Sequence, residues 1–151
     1  MRRAHDIMTR EVRTVTPQTS LKDLARLFTE TRVSGFPVVD ADGALRGVVT
    51  ESDLIHQNQR LHIPTTIALF DAVIFLGSSR RLEEELRRMA ATTVEEIMTR
   101  DPVTVREDTP VEEVAQIMAE RHIHTLPVLG DEGNVVGVIG KVDVIRAMGG
   151  G

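Results

Sequence analysis

Apolar residues recur along this chain with two different periods. Over residues 20–31, Leu21, Leu24, Ala25, Leu27 and Phe28 return every three or four positions, the pattern of one helix face. Two short runs rich in β-branched residues follow at 36–39 and 45–50 and predict strands. Asp42-Gly43 lies between them, and glycine beside aspartate supplies the positive φ angles of a tight hairpin. Residues 13–16 read as a short extended piece ahead of the helix, and 51–57 as a closing helix. The unit is strand–helix–strand–strand–helix.

That unit occurs twice. Ile7-Met8-Thr9-Arg10 returns as Ile97-Met98-Thr99-Arg100, Pro37-Val38 as Pro127-Val128, Gly47-Val48 as Gly137-Val138 and Asp53 as Asp143, at a constant offset of 90. In the second copy the extended piece falls at 103–106, and Val111, Val114, Ala115, Ile117 and Met118 form the helical stripe. Strands at 126–129 and 135–140 flank Glu132-Gly133-Asn134, and a closing helix covers 141–148. Thr109, Pro110 and Glu112 predict a capping box, with Thr109 as N-cap and proline at the first helical position, where its missing N–H costs nothing. Duplication implies a pseudo-twofold axis, one apolar face buried twice, and clefts that come in pairs.

The fold class is therefore α/β: two β-α-β-β-α repeats at residues 1–56 and 95–148, a linker at 57–94, and a tail at 149–151 that packs nothing. Each repeat alone buries too little surface to offset its conformational entropy, so the halves are expected to pack on each other. In the linker, residues 79–89 predict an amphipathic helix capped by Ser79, with Leu82, Leu86 and Met89 inward. Residues 63–76 are nearly uncharged and are expected to cover the chain's own core, a dimer contact being the alternative.

Composition narrows the picture. With 41% hydrophobic residues but four Phe and no Trp or Tyr, the core must be aliphatic. The absence of Cys excludes disulfides, thiol nucleophiles and zinc–thiolate sites, and fits a cytoplasmic setting. A net charge of −5 speaks against a broad nucleic-acid surface, and each arginine pair lies beside carboxylates or at a terminus. No signal-peptide pattern follows Met1, and the most apolar stretch, 63–77, is too short for a membrane span and carries Pro64 and Asp71, so a soluble protein is expected. No nucleophile elbow, Walker loop or dinucleotide fingerprint occurs, and His122-x-His124 lacks a carboxylate cluster to complete a metal site. The reading is non-catalytic, without a required cofactor.

The informative segments are Gly47-Val48-Val49-Thr50-Glu51-Ser52-Asp53 and Gly137-Val138-Ile139-Gly140-Lys141-Val142-Asp143, each running from a strand into a helix. Such a turn offers free backbone N–H groups at the positive end of a helix dipole, a place that accepts anions. Thr50 offers a hydroxyl, and Asp53 offers acceptors suited to a vicinal diol such as a ribose. Thr50-x-x-Asp53 is equally a capping box that serves only its own helix. Asp143 keeps its place although Gly140 has replaced the hydroxyl, which capping alone explains less well. Ser34-Gly35-Phe36-Pro37 and His124-Thr125-Leu126-Pro127 would run beside these turns.

The chain resembles a tandem pair of cystathionine β-synthase (CBS) domains, a Bateman module of the stand-alone prokaryotic type. The resemblance rests on Asp6-Ile7-Met8-Thr9 and Glu96-Ile97-Met98-Thr99, on Phe36-Pro37-Val38-Val39-Asp40 and Leu126-Pro127-Val128-Leu129, and on the two glycine-led segments ending in Asp53 and Asp143. It covers residues 5–56 and 95–148. It implies two clefts that bind AMP, ADP, ATP or S-adenosylmethionine as regulatory ligands, an energy-sensing role, and a flat homodimer acting on an unidentified protein. By the same resemblance Asp53 and Asp143 would hold ribose hydroxyls and Thr50 ribose or phosphate. Thr16, Ser34, Gly35, Phe36, Pro37, Thr125, Leu126 and Pro127 would line the adenine pocket. Arg106, His124 and Lys141 are candidates for phosphate charge by sign and position. The missing hydroxyl at Gly140 departs from the family pattern and puts the Asp143 cleft in question. A structural, oligomerising module with vestigial clefts is the alternative.

Overall fold

A computed structural model describes residues 2–31, 33–61 and 80–149. The first half runs α1 (Ala4–Ile7), α2 (Leu21–Thr31), β1 (Gly35–Val39), β2 (Leu45–Thr50) and α3 (Glu51–Leu61). After α4 (Arg80–Ala91) the second half follows with α5 (Val94–Ile97), β3 (Thr99–Arg100), β4 (Val105–Arg106), α6 (Val111–Arg121), β5 (Thr125–Leu129), β6 (Val135–Gly140) and α7 (Lys141–Gly149). Both hairpins form where glycine permits: Gly43 and Gly133 sit at φ 84° and 82°, a region that residues with a Cβ rarely adopt. β1 pairs antiparallel with β2, Pro37 opposite Val48, and β5 pairs likewise with β6, Pro127 opposite Val138.

The two sheets exchange edges. On the first sheet the strand beside β2 is β3, whose Thr99 and Arg100 come from the second repeat. On the second sheet Thr9, from the first repeat, bridges Val138 through N–H···O bonds of 2.8 and 3.0 Å. The short helices follow the same rule. The Val94 amide donates to the Thr19 carbonyl and the Leu21 amide to that of Thr92; in the mate, Ala4 donates to Thr109 and Val111 to Arg2. The first N–H groups of α2 and α6, orphans of any helix start, are thus satisfied by the opposite repeat.

The cores follow the exchange. Val94 and Met98 lie in one apolar cluster with Leu21, Leu24, Phe36 and Val49, whereas Ala4 and Met8 lie in the other with Val114, Leu126, Val128 and Ile139. Phe28 and Phe36 stack at 4.9 Å between centroids in the first core. Met118 and Leu126 take those positions in the second, which is purely aliphatic among the described residues. Each crossing segment passes over a glycine. A Cβ on Gly47 would lie 2.5 Å from the Thr99 carbonyl oxygen, and one on Gly137 would strike the Met8 side chain.

Several details differ from expectation. Of the extended pieces, 13–16 makes a single parallel bridge from Val15 to Val38, and 103–106 shortens to β4. Thr109 does not cap α6: Pro110 stands at the cap, and the Thr109 hydroxyl accepts from the Arg106 amide at 3.1 Å, closing the preceding turn. Thr19 does the same for Thr16, and in that repeat Ser20 caps the helix, accepting from the Asp23 amide at 3.1 Å. α3 continues past residue 57 to Leu61. In α4, Met89 is buried and Leu86 packs against the first core, while Ser79, the Leu82 side chain and residues 63–76 lie outside the described residues. α7 extends to Gly149, beside which nothing packs, and residues 150–151 lie outside the described residues.

The exchange predicts unequal costs at the two glycines. Gly47→Ala forces apart two backbones, whereas Gly137→Ala meets a flexible methionine. Gly47→Ala should cost about 1–3 kcal/mol, lowering the melting temperature by several degrees, and Gly137→Ala should cost less. Thermal denaturation of both variants checks the order.

Candidate functional site

The strand-to-helix turns are built as mates. In the first, the Asp53 carboxylate turns back so that Oδ2 accepts from the Thr50 amide at 2.8 Å and the Thr50 hydroxyl at 3.1 Å. The Thr50 hydroxyl oxygen in turn accepts from the Asp53 amide at 3.3 Å, completing a capping box. In the second, Oδ2 of Asp143 accepts from the Gly140 amide at 2.8 Å. The carboxylate half of the box therefore needs no hydroxyl, and the absence of one at Gly140 does not weigh against capping at Asp143. In both residues Oδ2 is the bonded oxygen.

A cleft opens beside each turn. One, of about 450 Å³, is lined by Asp143, Gly140 and Lys141 on one side and by Ser34, Gly35, Phe36 and Pro37 on the other, with Thr9, Arg13, His124 and Thr125. The other, of about 390 Å³, is lined by Thr50, Glu51 and Ser52 facing His122, Ile123, His124 and Thr125, with Thr99 and Asp101. Thr9 and Thr99, Glu11 and Asp101, Val33 and Ile123, and Val138 and Val48 are pairs at the repeat offset, so the clefts are pseudo-twofold mates. Ser34, Glu51, His124 and Thr125 line both.

The shared wall lies where β1 meets β5. Ser34 Oγ is 2.9 Å from Thr125 Oγ1 and donates to the His124 carbonyl at 3.4 Å. The position that carries Thr125 in one repeat carries Gly35 in the other, and a Cβ there would lie 2.8 Å from Thr125 Oγ1. One side chain fits at the axis because its mate has none.

Of the sequence candidates, the structure gathers Ser34, Gly35, Phe36, Pro37, His124, Thr125, Lys141 and Asp143 around the first cleft, and Ser34, Thr50, His124 and Thr125 around the second. Asp53, Leu126 and Pro127 line neither; the last two are fully buried. Thr16 lines neither either, its amide and hydroxyl turned to Thr19. Arg106 points away: its guanidinium donates to the Gly130 carbonyl at 3.2 Å and lies 3.9 Å from Asp131. Sequence reasoning missed Thr9, Glu11, Arg13, Thr99 and Asp101, which the exchanged segments carry to the cleft walls. The doubled Ile-Met-Thr-Arg run was their only signal, and it does not say which sheet each copy joins.

Electrostatics separates the mates. Glu51 opens α3 in keeping with the helix dipole, but Lys141 opens α7 against it, a placement that costs about 0.3–1 kcal/mol near a helix N-terminus. Asp101 and His122 are the non-glycine residues with positive φ among the described residues, at 52° and 54°, and both line the second cleft. His122 is there as the left-handed cap that ends α6, its amide donating to the Met118 carbonyl.

Comparison with known proteins agrees with this architecture. The family model described as CBS domain matches residues 4–59 and 94–150. An uncharacterized protein of Methanocaldococcus jannaschii is 31% identical over 95% of this chain and 89% of its own. The chloroplastic CBS domain-containing protein CBSX2 of Arabidopsis thaliana is also 31% identical, and this chain spans 61% of its length. The crystal structure of CBSX2 in complex with AMP superposes with a TM-score of 0.72 at 28% identity, covering 98% of this chain and 96% of that one. The CBS domain pair of protein MJ0100, in complex with 5′-methylthioadenosine and S-adenosyl-L-methionine, gives 0.72 at 26% identity, covering 98% and 100%. The chain belongs to the CBS-domain family, as a tandem pair of its repeats.

Proposed function

We propose that this chain is a regulatory module, without catalysis of its own, that binds adenosine-containing ligands in its two clefts. The observation that carries the reading is the pair of mated clefts, each opening at a helix start and each within the size range of small-molecule sites, about 300–1,000 Å³. The complexes of CBSX2 with AMP and of MJ0100 with 5′-methylthioadenosine and S-adenosylmethionine support the ligand class. In this reading Phe36 and Pro37 flank the adenine, and Asp143 uses the oxygen not bonded to Gly140 to accept from a ribose diol. The signal is a change in the relative orientation of the halves or of two subunits, which needs only unequal affinity for two arrangements. The proposed setting is cytoplasmic; no described helix is long and apolar enough to cross a membrane.

The scaffold reading remains as the second. What favours it is that Asp53 caps its own helix through Oδ2 and lines neither cleft. A thermal-shift screen separates the two. At about a hundredfold excess over its dissociation constant, a bound adenosine ligand should raise the melting temperature by roughly 5–10 °C. No shift with any adenine nucleotide or S-adenosylmethionine supports the scaffold.

The homodimer belongs to the same proposal. Ile145 is 62% exposed and Met148 73% on α7, with Val142 at 57%, and Ile55 on α3 is 49% exposed. Ile55 and Ile145 are mates at the repeat offset, so one apolar face occurs twice. Light scattering should give the mass of two chains, and Ile145→Asp should shift it toward one.

The diol contact has its own test. 2′-Deoxy-AMP should bind more weakly than AMP by about 1–3 kcal/mol, because the carboxylate loses a donor. Calorimetry measures both ligands, and equal affinities remove Asp143 from the diol role.

A further inference from the structure

The two clefts are mates in shape but not in charge. Lys141 lines only its own cleft, whereas Glu51, its mate at the start of α3, lines both. Arg13 lines the same cleft as Lys141, and the position matching Arg13 in the second cleft is Val103. One cleft therefore carries two permanent cations. Among the described residues, the charged and titratable groups lining the other are Glu51, Asp101, His122 and His124. Carboxylates also reach the first cleft, as Glu11, Glu51 and Asp143, but there Arg13 and Lys141 stand among them, and Asp143 already accepts from the Gly140 amide.

A phosphate ester needs charged donors close by, because its oxygens lose water on binding. Two carboxylates without a permanent cation repel it, and they attract a sulfonium or tolerate a thioether. Lys141 adds a second argument. A cation at the first position of a helix opposes the dipole, so its place is better explained by what faces it than by the helix it begins.

We propose that the clefts sort adenosine ligands by the charge of the 5′ substituent. The Lys141 cleft takes the phosphate-bearing ligand, and the Thr50 cleft takes one whose substituent is neutral or cationic. This rests on reading both clefts as adenosine sites. Each has its own volume, and Ser34, Glu51, His124 and Thr125 line both, so the sorting requires that the two ligands bind one chain together.

Calorimetry on the intact chain tests the sorting. AMP, S-adenosylmethionine, and S-adenosylmethionine after saturation with AMP are titrated in turn. Each ligand should fill one site per chain, and AMP should leave the second titration's stoichiometry unchanged. Lys141→Ala should weaken AMP by about tenfold and leave S-adenosylmethionine within about twofold. Asp101→Asn, which keeps a residue tolerant of left-handed backbone, should weaken S-adenosylmethionine several-fold and spare AMP. Melting curves of both variants establish that they are folded. Competition for one common site, or equal weakening of both ligands by Lys141→Ala, overturns the sorting while leaving the clefts as adenosine sites. Absence of binding by either ligand overturns both.

Discussion

The crossing of each repeat's leading segment onto the other repeat's sheet is the constraint on which the rest depends. It needs room, and Gly47 and Gly137 supply it where Thr99 and Met8 pass over β2 and β6. It also needs partners, and the carbonyls of Thr92 and Arg2 supply them to the first amides of α2 and α6. Once both crossings are made, neither core is complete without the other half of the chain, since Met98 fills one and Met8 the other. Burial of a side chain of that size contributes about 1.5–3 kcal/mol, a large share of the stability of a marginal small unit. The halves are thus held at a fixed register, and the clefts exist because that register leaves space between the strand-to-helix turns and the opposite repeat.

How much of this was legible in the sequence depends on the range of the interaction. The hairpins were, because Gly43 and Gly133 encode their turns locally. The helices α2 and α6 were, because an apolar stripe at helical spacing reports a buried face. The exchange was not: Thr9 bridging Val138 joins residues far apart in the chain, and nothing in the alternation around Thr9 names its partner. Thr109 failed for a related reason. A threonine before proline satisfies a capping pattern, yet its hydroxyl closes the turn to Arg106, a choice between two local bonds that spacing does not decide.

The candidate site divides along the same line. Most candidates on the strand-to-helix turns and on the strands facing them lie beside a cleft, since a turn's position follows from its own elements, but Asp53, Leu126 and Pro127 do not. Arg106 was not, because charge and chain position say nothing of which way a side chain leaves a strand; it is held by Gly130 and Asp131. Asp53 and Asp143 show that one position serves two ends. Each caps its helix through Oδ2, which fixes the carboxylate and costs the helix nothing, and only Asp143 also lines a cleft.

Duplication supplies two equal clefts, and a few paired positions then make them unequal. Gly35 against Thr125 settles who occupies the axis, Thr50 against Gly140 which turn carries a hydroxyl, and Glu51 against Lys141 the sign of charge at the helix start. Space permits these differences: a Cβ on Gly140 would meet nothing closer than 3.8 Å, so steric need does not keep that position bare. The backbone positions that make the exchange possible allow less freedom, least of all Gly47, where a Cβ would meet the Thr99 carbonyl. A fold of this kind separates the residues that hold its halves together from those that face its clefts. The second group can therefore diverge between the two sites while the first keeps both in register.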